Sequence, residues 1–379
     1  MDPFRRSASV NDTSETSPPE PKLRHVIRED LTRGDFQRTV RKEYAELKEF
    51  FLDDERKARL NEMSRLKRWI FTALWLMTAL FRKLTPVRRI LLLAAVILLI
   101  VQHDFSYASH RLNIQIDTGI FACFILLFIL MLELKDKLLA HDELEAGRAI
   151  QSALMPEQSP SVPGWSIHLN TRTANEVGGD LVDFQELGPD RYLLTLADVA
   201  GKGLKAALVT SKLQSTIRAL APETSSLEDL VFKINLVFHR DTVRNIFASL
   251  VCIEFSPSSG SVRLVNAGHL PPVLVTREGL SELAKGDPAI GIIPDIRYHC
   301  QEVQIRKEEV LFIYSDGLTE AKNERGDFYG QGRVQAILPS LQHLNAEQIS
   351  DRIILEVERF IGEARRHDDL SLIVMKRIE

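Results

Sequence analysis

Apolar positions along this chain do not keep one spacing, and each change of spacing marks a different kind of element. Residues 1–25 are rich in Ser, Thr, Pro and Glu and offer almost nothing to bury, which predicts a disordered tail. Over residues 26–68, Tyr44, Leu47 and Phe51, then Leu60, Met63 and Leu66, recur every three or four positions among charges, predicting an amphipathic helix. Three apolar runs follow. Trp69–Phe81 is short and closed by basic residues, as an interfacial helix would be. The other two read as membrane spans at about 88–108 and 114–134, so that residues 69–134 form a membrane region built on a helical hairpin. A buried hairpin in a soluble protein, or a third span through 69–81, stays open as an alternative.

Glu133–Leu154 reads as one helix stopped by Met155-Pro156, so residues 135–156 are expected to be a signalling or linker helix. Its apolar positions make no clean heptad, and a homodimer through this helix is left open. From Trp165 the pattern shortens. WSIHLNTRT, DLVDFQEL, RYLLTLADV, IFASLVCIEF, SVRLVNAG, EVLFIYSD and LSLIVMKRI are rich in branched or aromatic residues and bounded by turn formers, as strands are. Helical patterns occupy Leu204–Leu220, Leu227–His239 and Ala346–Ile361. Runs of strands with grouped helices give an α+β sandwich over residues 157–379, not a parallel doubly wound sheet.

Charge sharpens the division. Residues 1–89 carry 20 Lys/Arg against 14 Asp/Glu, and the remainder carries 28 against 38. The basic excess beside apolar runs favours an anionic membrane surface, with membrane lipids as partners. No zinc module or aromatic-interleaved basic patch accompanies it, so nucleic acid is not expected as a partner. Lys67, Arg68, Arg82, Lys83, Arg88 and Arg89 before the hairpin, with Lys135 and Lys137 after it, place both ends inside. The resulting expectation is a multi-pass protein of the cytoplasmic membrane whose C-terminal domain faces the cytoplasm. Three scattered cysteines, Cys123, Cys252 and Cys300, form no disulfide or zinc pattern.

The candidate chemistry lies in four aspartates, each in a short turn beside an expected strand: Asp180 in VGGD, Asp198 in LADVAGKG, Asp316 in YSDG and Asp368 in HDDLS. Scattered carboxylates of this kind suit hard divalent ions, and the adjacent glycines allow sharp turns. The carbonyl of Val199 is a further candidate ligand. Asp183 projects from the opposite face of an extended chain to Asp180 and is set aside. GKG lacks the spacing of a nucleotide-binding P-loop, and GGD is followed by Leu181-Val182 where a cyclase motif has Glu-Phe. His269, in NAGH, reads either as a general acid or as a turn residue; Lys202 is a candidate for orienting phosphate.

Taken together, AGRAIQSALMP, VGGDLVDF, LADVAGKGLKAALV, NAGHLPPVLV, LFIYSDGLTEAKNERGDFYG and HDDLSLIV resemble, in order, the sporulation stage II E-type branch of the PPM (protein phosphatase 2C-like) phosphatases. The resemblance covers residues from about Glu145 onward. It implies a two-sheet antiparallel β-sandwich flanked by helices, with two Mn²⁺ or Mg²⁺ ions held by Asp180, Asp198, Asp316, Asp368 and the Val199 carbonyl. Asp369 occupies the adjacent place and is not expected to be a direct ligand. The implied activity is hydrolysis of phosphoserine or phosphothreonine on a regulatory protein, of the anti-sigma-factor-antagonist kind, by a metal-activated water. The rival reading is a catalytically silent phosphatase-like scaffold or binding module.

Overall fold

The computed structural model describes residues 64–100, 104–109, 112–242 and 246–379. The expected tail and nearly all of the amphipathic helix over 26–68 lie outside the described residues. Two compact units divide the chain, residues 1–135 and 136–379.

The first unit contains helices α1 (Arg65–Lys83) and α2 (Pro86–Ile100), the hairpin β1 (Asp104–Ser109) and β2 (Leu112–Asp117), and the start of α3 (Thr118–Leu154). Pro86 opens α2 at the position where its missing N–H costs nothing. The hairpin corrects the expected spans. Leu112, Ile114 and Ile116 alternate with Asn113, Gln115 and Asp117, a period of two that closes an antiparallel pair from Asp104↔Asp117 to Ser109↔Leu112. Counting apolar residues had joined this segment to the helices on either side. Once it is a hairpin, α2 keeps 15 residues, a rise of about 22 Å against about 30 Å of hydrocarbon. The apolar start of α3 ends at Glu133, which Arg88 binds at 2.7 Å. Among the described residues no helix is long and apolar enough to cross a membrane. A multi-pass protein of the cytoplasmic membrane is therefore ruled against, and lipid loses its support as a partner.

In the second unit two five-stranded antiparallel sheets face each other. One has the order β10-β7-β6-β5-β4 and the other β3-β12-β11-β8-β9. Their strands are β3 (Trp165–Arg172), β4 (Asp180–Gly188), β5 (Arg191–Val199), β6 (Ala248–Phe255), β7 (Ser261–Ala267), β8 (Val273–Thr276), β9 (Gly279–Glu282), β10 (Cys300–Gln304), β11 (Val310–Tyr314) and β12 (Leu370–Arg377). Alternate residues of β5 and β11 show why a sandwich forms. Leu194 and Leu196, with Leu311 and Ile313, enter the core between the sheets, whereas Leu193 and Ala197, with Phe312 and Tyr314, face outward. Both faces are apolar, so both must be covered. Helices α4 (Leu204–Leu220) and α5 (Leu227–Asp241) cover the first sheet. Helices α7 (Gln331–Leu341) and α8 (Ala346–Ile361) cover the second, after a single turn, α6 (Asp316–Thr319).

The helices match the sequence pattern where their ends are chemically marked. Ser226 caps α5, and Asn345 with Gln348 makes a reciprocal capping box on α8. In the second unit the elements not expected from sequence are β8, β9, β10, the single turn α6 and α7. The two strands of the β8–β9 hairpin have four residues each, β10 is a half-exposed edge, and α7 carries Pro339 inside it.

Candidate active site

Strand register places the first two aspartates. Across the β4–β5 ladder Asp180 stands directly opposite Asp198, at one end of the first sheet. In the second sheet β11 pairs with β12 from Val310↔Lys376 to Tyr314↔Leu372, so the residues just after β11 and just before β12 share an end. Those residues are Asp316 and Asp368. Asp198, Val199, Asp316 and Asp368 line one cleft of about 590 Å³ together with Lys202, Phe247 and Lys285. Asp180 is not in its lining. It lies behind, only 3% exposed.

Asp369 joins the two sheets at this end. Its Oδ2 accepts from Gly179 N at 2.6 Å and its Oδ1 from Ala174 N at 2.7 Å. Ser315 Oγ donates to Asp369 O at 3.2 Å and accepts from Ser371 N at 2.9 Å. Sequence reasoning placed Asp369 beside the site without a task and passed over both serines. Their signal was present, since a serine lies one residue before Asp316 and two after Asp369. Gly317 exists because of the same crowding: a Cβ there would stand 1.9 Å from Asp369 O. Gly317→Ala is expected to push the Asp368–Asp369 segment outward and cost about 1–3 kcal/mol, read as a lower denaturation midpoint. An unchanged midpoint would mean that the segment yields freely.

Gathering acids raises their pKa values. Burial first, then the charge of Asp198, holds Asp180 well above the ordinary carboxylate range, while the nearby Ser371 and Ser315 hydroxyls pull the other way. Burial, then Asp316, Asp368 and Asp369, lifts Asp198 to about 6. Burial and Asp368 also raise Asp316. Because these folded-state values exceed the ordinary ones, the fold disfavours the ionised forms. For Asp198 the cost is absent below the ordinary value of 3.8 and complete above about 6. It amounts to about 3 kcal/mol at most. The metal-free protein is therefore expected to melt at a lower temperature near neutrality than at about pH 5, a difference that saturating Mn²⁺ should remove. Equal melting temperatures across that window would show that the aspartates do not repel one another.

One cation answers part of this charge: Lys202 Nζ lies 2.9 Å from Asp368 Oδ2 and donates to His367 O at 2.5 Å. Among the described residues no group of three or more Asp, Glu, His or Cys side chains is placed to hold a metal ion. The donor set nonetheless fits a hard cation. Its atoms are carboxylate oxygens, those of Asp180, Asp198 and Asp316 with raised pKa values, and Asp180 Oδ2 is buried with no hydrogen-bond partner.

Asp183 and His269 have structural tasks. Asp183, 1% exposed, takes a two-pronged ion pair from Arg218, with Nε to Oδ2 at 2.9 Å and Nη2 to Oδ1 at 2.7 Å. His269 lies between Ser249 Oγ, 2.7 Å from Nδ1, and Tyr314 O, 3.1 Å from Nε2. Burial lowers its pKa to about 4, so it is neutral near pH 7: Nε2–H donates to the carbonyl and Nδ1 accepts from the hydroxyl. Near pH 7 it therefore lacks the imidazolium proton that a general acid would give. Burial pushes the Cys252 thiol up to about 12, which leaves no thiolate for nucleophilic attack.

A family model described as Stage II sporulation protein E (SpoIIE) matches residues 188–378, half of the chain. The chain belongs to the SpoIIE family. This SpoIIE-family chain is 28% identical over 263 residues to Protein IcfG of Synechocystis sp., a match covering 62% of this chain and 41% of that protein. It thus spans about two fifths of that relative's length. It is 24% identical over 241 residues to phosphoserine phosphatase RsbU of Bacillus subtilis, covering 62% of this chain and 70% of that one. Among solved structures, the SiaA-PP2C domain of Pseudomonas aeruginosa superposes with a TM-score of 0.56 at 19% identity, covering 64% of this chain and 98% of that one. That likeness concerns the fold: two antiparallel sheets with flanking helices are common to both.

Proposed function

We propose that the SpoIIE-family chain is a metal-dependent protein-serine/threonine phosphatase. The observation that carries this reading is the convergence of Asp198, Asp316 and Asp368 on one cleft, with buried Asp180 paired behind Asp198. These four side chains and the Val199 carbonyl would hold Mn²⁺ or Mg²⁺. When bound, such ions neutralise phosphoryl charge and make water nucleophilic at neutral pH. The chain's own groups prepare the rest. Asp369 fixes the Gly179–Asp180 turn, while Lys202 and Lys285 bring positive charge to the mouth where a phosphate would enter. Phe247, 45% exposed, gives that mouth an apolar rim that a protein substrate can cover.

The substrate class favoured by kinship is a phosphoserine-bearing protein, because a matching relative is named a phosphoserine phosphatase; the motif resemblance narrows it to a regulatory protein of the anti-sigma-factor-antagonist kind. Phosphate release from a phosphoserine protein by the full-length chain, with Mn²⁺ and with chelator, tests the activity. Metal-dependent release is the expected result. Metal binding without release from any phosphoprotein would instead favour the silent scaffold.

A further inference from the structure

A second cleft, of about 440 Å³, lies between the end of α3 and β3 and shares no lining residue with the aspartate cleft. Its size suits a small organic ligand. Arg148, Arg172 and Arg366 line it, and no acidic residue does. Arg172 and Arg366 both donate to the same oxygen of Glu358, Arg366 at 2.7 Å. One carboxylate therefore serves two guanidinium groups, each with further N–H donors to offer. Among the described residues Arg148 forms no ion pair. The polar wall is thus under-neutralised, while Leu169, Val182 and Met155 supply an apolar floor.

Asn170, Thr171 and Thr173 add uncharged polar groups to the same wall. Planar guanidinium forks match phosphate oxygens in pairs, which selects the anion.

We propose that this cleft binds a small phosphorylated molecule of mononucleotide size, its phosphate held by the three arginines and its body lying on the apolar floor. The site communicates with Asp180 through Gln151, which lines the cleft. The Gln151 amide donates to Gly178 O at 2.9 Å and accepts from Gly178 N at 3.1 Å, at the turn that leads into Asp180.

Calorimetric titration of the full-length chain with AMP, GMP, CMP, UMP and inorganic phosphate tests the proposal. At least one mononucleotide is expected to bind about tenfold or more tightly than inorganic phosphate. Arg148→Gln and Arg172→Gln should each weaken that binding about tenfold or more, with Arg148→Gln, on an exposed helix face, retaining the parent melting temperature. No mononucleotide binding more tightly than inorganic phosphate would overturn the proposal, as would parent-like binding by Arg148→Gln. Hydrogen exchange over Val177–Asp180 should slow in the bound state; unchanged exchange would overturn the link to Asp180. No phosphoprotein enters the assay, so failure here leaves the phosphatase reading standing.

Discussion

Asp198→Asn is expected to lower metal-dependent phosphate release by about a hundredfold or more. Asp198 is the one acid that faces all the others: it pairs with Asp180 across the ladder and feels the charges of Asp316, Asp368 and Asp369. A neutral amide of nearly the same shape removes a ligand charge without opening a cavity. The same change relieves repulsion, so the metal-free variant should melt no lower than the parent near neutrality and respond less to added Mn²⁺. Activity and metal-free stability then move in opposite directions, which a merely misfolded variant cannot imitate. Phosphate release within tenfold of the parent would remove Asp198 from the catalytic set, and with it the argument from convergence.

The second large effect concerns stability. Arg218→Ala is expected to cost about 3–5 kcal/mol, because it leaves the Asp183 carboxylate buried without its partner. That is a large share of a domain's usual margin. Arg218 Nη2 also donates to Leu154 O at 3.2 Å, beside the bond from Gln214 Nε2 to the same carbonyl at 2.9 Å. The end of α3 therefore loosens together with α4 and β4. Adding Asp183→Asn to Arg218→Ala should restore part of the loss, since the orphaned charge disappears. Denaturant midpoints of the two single variants and the double variant provide the check. Strict additivity would show that the two side chains do not act as a pair.

Much of the fold of the second unit was legible in the sequence because its strands announce themselves by composition. Val310–Tyr314 is apolar at every position, and Tyr192–Leu196 at every position but Thr195, as strands covered on both faces are. The aspartates were legible through their glycine-flanked turns. Asp369 was not, because its task is set by backbone donors at Ala174 and Gly179 that are almost two hundred residues away in the chain. The membrane expectation failed for a related reason. Residues 104–117 supplied enough apolar side chains to extend the neighbouring runs, and only their alternation, overlooked in a hydropathy count, distinguishes a hairpin from a helix. The arginine cleft went unread because its three guanidinium groups come from α3, the end of β3 and the loop before β12.

Asp180 and Asp198 belong to one sheet, whereas Asp316 and Asp368 belong to the other. Any cation held by both pairs is therefore a clasp across the open end of a laminate, and the apolar filling between the layers sets its span. Side chains such as Leu196, Ile313 and Ile373 act as shims in that filling. Thickening or thinning them by a methylene would change the gap that the clasp must close. Selection can in this way retune ion preference and turnover from deep inside the protein, leaving every acidic group untouched.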